Sequence, residues 1–222
     1  SIDLGRCELC RQCRAENPNL YARAVGAWFV GSKYERQEKR ILFVGKNARG
    51  VPAADYEENR NDKGFLEEFR YSRERLWHLS WAYWRYTAEI CGRIFGPAGM
   101  EAVAFTNMVK CNSSPSKDTT TDSMKDYCVH RLGVARGEIE ILKPTHVVCY
   151  TGTSYDRWLP DLFDTMECLQ SEYIAIGNKR MPYAAYKCGS GGSKVSVLRI
   201  GHPERMQKEA YVSSVVHWVN EN

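Results

Sequence analysis

The stretch Arg40-Ile-Leu-Phe-Val-Gly-Lys-Asn-Ala-Arg-Gly50 joins an apolar run to a polar loop bounded by glycines, and it decides the predicted fold. The run from Ile41 to Val44 is typical of a strand buried on both faces of a parallel sheet. Gly45 and Gly50 would let the backbone after the strand approach a ligand closely. In open α/β sheets, ligands bind at the carboxyl ends of the strands. Taken alone, the stretch is better explained as an ordinary exit from a strand into a loop. Whether it forms a ligand-binding loop has to be judged from the rest of the chain.

The composition favours a single globular domain spanning residues 1–222, with the cysteine-containing segment 7–13 included. No apolar run approaches the roughly 18 residues of a membrane-spanning helix, so no membrane partner is expected. No signal peptide is evident, so we expect a cytoplasmic protein. We also expect a monomer. The net charge of +4 is mild. A polyanionic partner would therefore have to bind through a local basic surface.

Segments with the periodicity of strands alternate with segments with the periodicity of helices. Strands are predicted at residues 41–44, 103–106, 146–150, 173–176, 182–187 and 195–200, the fourth and fifth as parts of a hairpin or meander. Helices are predicted at residues 20–31, 65–95, 123–142 (capped by Thr121 or Asp122), around 155–159, and 204–219. Helical crossovers imply a mainly parallel sheet, hence an α/β fold with three α/β/α layers.

Polar residues follow three of the predicted strands at the point where the apolar run stops. Asn47, Asn107 and His202 occupy these positions. Because the carboxyl ends of parallel strands lie at the same edge of a sheet, we expect the three side chains to converge on one pocket.

The chain contains nine cysteines, three of which, Cys7, Cys10 and Cys13, are spaced three residues apart. In a reducing compartment, such a pattern indicates metal binding rather than a disulfide framework. Cys91, Cys149, Cys168 and Cys188 fall in helical or strand patterns, and we expect them to be small buried hydrophobic residues.

Four segments together resemble the uracil-DNA glycosylase superfamily, and most closely its iron–sulfur-containing family 4 branch. They are Phe43-Val-Gly-Lys-Asn-Ala-Arg-Gly50, Thr106-Asn-Met-Val-Lys-Cys111, Lys143-Pro-Thr-His-Val-Val-Cys-Tyr-Thr-Gly152 and His202-Pro203. The second segment, with a further cysteine 17 positions later, is the most specific. The resemblance extends over nearly the whole chain.

The resemblance implies a DNA glycosylase that removes uracil or a related deaminated base by hydrolysis of the N-glycosidic bond. Asn107 matches the residue that reads the edge of the base, Phe65 the aromatic that stacks on it, and Gly45 belongs to the same base-binding motif. His202 matches the residue that hydrogen-bonds the base as negative charge develops on it. Asn47 would position the attacking water.

The resemblance also implies contacts with DNA, the expected partner. Lys110, Ser113, Ser114 and Arg205 are the candidate phosphate contacts. Met206 is a candidate wedge for the minor groove, although it could equally belong to the first turn of the last helix.

The iron–sulfur branch holds a [4Fe–4S] cluster with an N-terminal Cys-x2-Cys pair and two later cysteines. Cys111 and Cys128 match the later pair. The N-terminal pair is either Cys7 with Cys10 or Cys10 with Cys13. A zinc site with four cysteines would satisfy the same ligand count, but the resemblance favours the cluster.

The first motif departs from that of the iron–sulfur branch. Lys46 stands where an acidic residue is usual, and Ala48 replaces the usual proline. Asn47 makes the motif similar to those of the single-strand-selective and mismatch-specific branches, and an amide cannot accept a proton from water. Slow catalysis or altered base selectivity is therefore expected. The alternative function is a catalytically weak iron–sulfur protein that binds DNA.

Overall fold

In a computed structural model, the described residues 8–17, 29–47, 81–111 and 119–222 form an α/β fold around a seven-stranded sheet. The strands are β1 (Phe29–Val30), β2 (Ile41–Asn47), β3 (Ala104–Val109), β4 (His146–Cys149), β5 (Thr165–Ile176), β6 (Lys179–Ser190) and β7 (Ser193–Ile200). The helices are α1 (Glu8–Glu16), α2 (Ala82–Phe95), α3 (Asp122–Lys125), α4 (Val134–Leu142) and α5 (Lys208–Glu221), and a π-helical turn (Asp126–Arg131) follows α3.

The order of the strands in the sheet is β1-β3-β2-β4-β7-β6-β5. The four central strands, β3, β2, β4 and β7, are mutually parallel. The outer strands β1, β6 and β5 pair in the antiparallel sense. The predicted α/β class with a mainly parallel centre is confirmed, and the antiparallel strands make the sheet mixed.

Both faces of the central sheet are buried, as the apolar run in β2 predicts. Ile41 and Phe43 pack into a cluster that also contains side chains of α2 and α5. Leu42 and Val44 point the other way, into a cluster with side chains of α1, the π-helical turn and α4. This alternation follows from the period of two residues in a strand.

The helical segments differ from the sequence predictions at their ends. The single helix predicted for residues 123–142 is interrupted, because Gly133 adopts a left-handed conformation with φ of +60° before α4 begins. The last helix begins at Lys208 rather than at residue 204. In place of a helix around residues 155–159 there are two short 3-10 turns, Gly152–Tyr155 and Leu159–Leu162.

Other predictions are met in part. The N-cap at Thr121 is confirmed, since its Oγ1 accepts a hydrogen bond from the backbone N–H of Met124 at 3.1 Å. The hairpin is much longer than predicted, with twelve residues in each strand. The helix predicted for residues 65–95 is seen as α2, and its first part lies outside the described residues. Of the helix predicted for residues 20–31, only residues 29–31 are described, and there the prediction is wrong, because Phe29–Val30 form β1.

Cys91, Cys149 and Cys188 are buried as predicted, whereas Cys168 is exposed, because it lies on the edge strand β5 beside a β-bulge. Among the residues that the structure describes, no helix is long and apolar enough to cross a membrane.

Candidate functional site

The candidate site begins with the register of β2 and β3, which places Gly45 directly beside Asn107. A β-carbon at Gly45 would lie only 2.2 Å from Oδ1 of Asn107. The carboxamide of Asn107 therefore covers the glycine, and the side chain is held in place with only 9% of the residue exposed. Glycine at this position is what allows the amide to lie across β2.

Tyr83 of α2 connects this pair to His202. The Tyr83 hydroxyl lies 3.3 Å from the position of a β-carbon at Gly45. Its ring stacks on the imidazole of His202, with the centroids 5.7 Å apart and the planes inclined by 25°. The structure thus brings together three residues that the sequence predicted, Gly45, Asn107 and His202, around an aromatic residue that was predicted only as part of the core.

The ring of Tyr83 is fixed from the other sides by edge contacts with Tyr150, at a centroid distance of 5.2 Å, and with Trp84, at 4.7 Å. Burial, and secondarily the nearby Cys149 thiol, raise the pKa of Tyr83 well above its ordinary value. A tyrosine hydroxyl is already protonated at neutral pH, and the raised pKa keeps it so over a wider pH range, so that it can donate a hydrogen bond.

The backbone after β7 positions His202. The carbonyl of Gly201 accepts a hydrogen bond from the Tyr211 hydroxyl of α5 at 2.9 Å, and the N–H of Gly201 donates to the carbonyl of Pro182 at 3.2 Å. The backbone N–H of Glu204 donates to Nδ1 of His202 at 3.2 Å. In the neutral imidazole, the proton must then be on Nε2, which can donate it to a ligand.

Asn47 is the last residue of β2 and lies half-buried beside Val109 in the register with β3. Because side chains alternate along a strand, Asn47 is on the same face of the sheet as Gly45. That face is the one on which α2 and α5 pack. Its position agrees with the predicted convergence at the carboxyl edge of the sheet.

Lys110 does not have the exposed position that a phosphate contact requires. Its ammonium is buried and donates to Oγ1 of Thr106 at 2.5 Å, to the carbonyl of Asn107 at 2.7 Å and to Oε2 of Glu138 at 2.6 Å. Glu138 is also largely buried, so the ion pair is well shielded from water. Lys110 instead fixes the backbone of Asn107 from the opposite face of the sheet.

Arg205 and Met206 lie in the loop of residues 201–207 between β7 and α5, so Met206 is not part of the last helix. The Arg205 side chain is 83% exposed, as a phosphate contact would be. Met206 is half-buried against the cluster that contains α2 and α5, and its carbonyl accepts a hydrogen bond from the Tyr86 hydroxyl at 2.7 Å. Phe65, Ser113 and Ser114 lie outside the described residues.

A second group of predicted residues, the cysteines, interacts electrostatically. Burial is the main cause that raises the pKa of Cys111. Smaller contributions come from the thiols of Cys128, Cys13 and Cys10, in decreasing order. Burial, and secondarily Cys128, raise the pKa of Cys13 to about 11. Cysteines of α1 and of the π-helical turn therefore act electrostatically on Cys111, which follows β3. Cys7 lies outside the described residues.

The surroundings of these thiols include hydrogen-bond donors. The backbone N–H of Lys110 donates to Sγ of Cys128 at 3.4 Å, and Nδ2 of Asn17 lies 3.8 Å from Sγ of Cys13. Such N–H···S contacts stabilise thiolates and tune iron–sulfur clusters. Asn17 also accepts a hydrogen bond from Thr121 at 2.7 Å, and thus holds the end of α1 against α3.

The cysteine thiols and the N–H groups that donate to them suit a metal ion or cluster that prefers thiolate ligands. Within the described ranges, no three His, Cys, Asp or Glu side chains are already close enough together to hold a metal ion. Buried thiols with raised pKa values release their protons only when a cation compensates the charge, so metal binding and thiol ionisation would be coupled.

Sequence reasoning missed Tyr83 and Asn17 as residues of these sites. Tyr83 fits the helical periodicity of an ordinary core position, and Asn17 stands in a turn signal before proline. No protein-family model matches the chain, and no curated protein is significantly similar to it.

Proposed function

We propose that the protein is a DNA glycosylase that hydrolyses the N-glycosidic bond of uracil or a related deaminated base. The observation that carries the proposal is the convergence of the Asn107 amide, the Tyr83 hydroxyl and the His202 imidazole around Gly45. A base rotated out of the duplex presents a planar edge of donors and acceptors. An amide, a phenol and an imidazole are groups that can read such an edge.

In the proposed reaction, Asn107 binds the base edge, its amide donating to O4 and accepting from N3–H of uracil. As the bond between the base and C1′ breaks, negative charge accumulates on the base. The Nε2–H of His202 donates to O2 and stabilises that charge. A water positioned by Asn47 adds to C1′, and its proton passes to solvent.

The proposal includes a [4Fe–4S] cluster held by four thiolates. Cys10, Cys13, Cys111 and Cys128 are the described candidates, and Cys7 is the alternative to Cys13 in the N-terminal pair. When bound, the cluster would supply a cross-link between α1, the end of β3 and the π-helical turn. Four cysteines would also suit structural zinc.

The decisive experiment incubates the protein with labelled oligonucleotides that carry uracil, hypoxanthine, xanthine or mismatches and measures abasic sites. His202→Ala should lower the single-turnover rate by roughly 10² to 10³, because it removes a donor used mainly in the transition state. DNA binding should scarcely change. His217→Ala is the matched control, since His217 is exposed on α5.

Asn107→Asp tests the base-reading role separately. A carboxylate accepts hydrogen bonds but does not donate them, so uracil should be rejected while cytosine, with its amino donor, becomes relatively more acceptable. Asn220→Asp, at an exposed position near the C-terminal end of α5, is the control. If both site variants lose activity only in proportion to lost folding, the catalytic assignment is wrong.

A second candidate function is DNA binding with little catalysis. Asn47 favours it, because an amide at the end of β2 cannot take a proton from the attacking water. Tight DNA binding without abasic sites on any oligonucleotide of the panel would establish this alternative.

A further inference from the structure

The tip of the β5–β6 hairpin, residues 173–182, extends past the end of β7. Strand β6 pairs with β7 only as far as Tyr183, which lies opposite Ile200, the last residue of β7. The hairpin continues for four more residues of β6 and turns at residues 177–178. The tip is therefore adjacent to the loop of residues 201–207, which carries His202.

The tip and this loop are in contact at three places. The ammonium of Lys179 donates to the carbonyl of Arg205 at 2.6 Å. A β-carbon at Gly177 would lie 2.9 Å from Cβ of Gln207, and one at Gly201 would lie 2.9 Å from Cγ of Met181. The hairpin tip thus packs closely along the length of the loop.

The contact with Lys179 is made at an unusual backbone position. Arg205 has a φ of +64°, in the left-handed region that residues other than glycine seldom occupy. Such a conformation persists only where the surroundings hold it, and it is often found at functional sites. The hydrogen bond from Lys179 holds the carbonyl of Arg205 in this conformation.

The same surface is cationic. Lys179, Arg180 and Arg205 are all exposed. The guanidinium of Arg180 lies 5.4 Å from the centroid of the Tyr173 ring on the neighbouring strand, an arrangement that holds it above the hairpin. Glu204 approaches Arg205 only to 3.9 Å and is itself 66% exposed, so it neutralises the surface weakly. Clustered cations beside a base-binding site suit a phosphate backbone.

We propose that the hairpin tip is a second DNA-contacting element, in which Lys179 is a positioning residue for the loop of residues 201–207 and Arg180 contacts a phosphate. The DNA contact rests on the proposed function, because it assumes that DNA is the partner. The positioning of the loop does not, and it is tested without DNA.

The positioning role is tested by limited trypsin digestion at the Arg205–Met206 bond, followed by mass spectrometry. Lys179→Met should increase the initial cleavage rate at this bond several-fold, because the backbone of Arg205 loses its hydrogen bond. Lys179→Gln, which keeps an N–H donor, should restore part of the protection. Lys194→Met is the control, because Lys194 lies in β7 opposite Gly189, at the end of β6 that is remote from the hairpin tip. Equal cleavage rates in all four proteins would overturn the positioning role.

The phosphate contact is tested by the salt dependence of binding to a duplex without a damaged base, which requires no catalysis. Arg180→Gln should reduce the slope of log K against log salt by about 0.9, the value for one lost phosphate contact. Lys194→Gln should leave the slope unchanged. An unchanged slope for Arg180→Gln would overturn the contact. A flat response of the unmodified protein would instead exclude DNA as the partner and overturn the proposed function with it.

Discussion

Gly45 controls the position of the Asn107 amide, because the space that a β-carbon would fill at Gly45 is occupied by Oδ1 of Asn107. The obstructing atom is the end of a flexible side chain rather than backbone. A small side chain at Gly45 would therefore move the amide without disturbing the strand pairing. The backbone of Asn107 would stay where Lys110 holds it.

We expect Gly45→Ala to fold with a free energy of unfolding within about 1 kcal/mol of the unmodified protein. If the proposed glycosylase function holds, the variant should also lose base selectivity and single-turnover activity by roughly tenfold or more. The measurements are urea unfolding and the oligonucleotide panel. Gly92→Ala in α2 is the control, since no atom lies within 4 Å of its added β-carbon. Full activity in Gly45→Ala would show that the amide position is unimportant.

His146 gives the protein a pH dependence of stability. Burial, followed by the charges of Lys39 and Lys187, lowers the pKa of His146 from its usual value near 6.5 to about 4. Its Nδ1 lies 2.8 Å from the Thr145 hydroxyl, and its ring meets the Trp218 ring edge-on. The folded state therefore favours the neutral imidazole.

Because the unfolded chain binds a proton near pH 6.5 and the folded chain only near pH 4, this contribution to stability is present above pH 6.5 and is lost as the pH falls between these values. The loss from pH 7 to pH 5 should be about 2 kcal/mol. Urea unfolding of His146→Gln should show a correspondingly weaker pH dependence than that of the unmodified protein. Identical profiles for His146→Gln and the unmodified protein would contradict the assignment.

At the scale of elements, the interruption at Gly133 separates the π-helical turn from α4. The π-helical turn carries Cys128, and its Tyr127 hydroxyl donates to Glu16 of α1 at 2.5 Å. Apolar periodicity continues across the break, which is why the sequence predicts one helix. The left-handed glycine changes the direction of the chain, so that the two helical segments make different contacts.

The same substitution should have opposite effects at the two glycines of this region. Gly133→Ala should destabilise the protein by about 1 kcal/mol, because alanine is strained at positive φ. Gly137→Ala in α4 should stabilise it by about 0.5 to 1 kcal/mol, because the position is helical and no atom lies within 4 Å. Thermal or urea unfolding measures both. A shift of the same sign in the two variants would contradict the structural explanation.

At the scale of the whole molecule, the cysteines show what the fold brings together. Cys10 and Cys13 are separated from Cys111 by nearly half of the chain, yet their thiols affect the pKa of Cys111. Hydrogen bonds from Ser123 to Glu16 at 2.7 Å and from Asn17 to Ser123 at 3.3 Å attach α1 to α3. These contacts hold α1, which carries Cys10 and Cys13, against α3.

Protein purified without oxygen should be brown and absorb broadly near about 400 nm, as thiolate-bound iron–sulfur clusters do. Cys111→Ser and Cys128→Ser should each lose the bound iron and colour, and their melting temperatures should fall. Cys168→Ser is the matched control, because Cys168 is exposed on the edge strand. Colourless unmodified protein that contains stoichiometric zinc would replace the cluster with the zinc alternative.

The sequence by itself determined the class of the fold and the central strands. The apolar run at residues 41–44 and the mostly apolar segment 195–200 favour buried strands, and the helical segments between the strands favour parallel connections. The same patterns placed Asn47 and His202 at strand ends, whereas Asn107 lies inside β3, which runs on to Val109. Local periodicity carries this information because it depends on residues that are close together in the chain.

Only the tertiary structure decided which distant side chains meet. Tyr83 stacks on His202, Asn107 covers Gly45, and Lys110 turns inward to Glu138 instead of outward. It also decided where helices end, as the left-handed Gly133 shows. The physical reason is that these outcomes depend on the space and charge that other elements provide, and a glycine, lysine or tyrosine has the same local pattern whether it lines a site or fills a core.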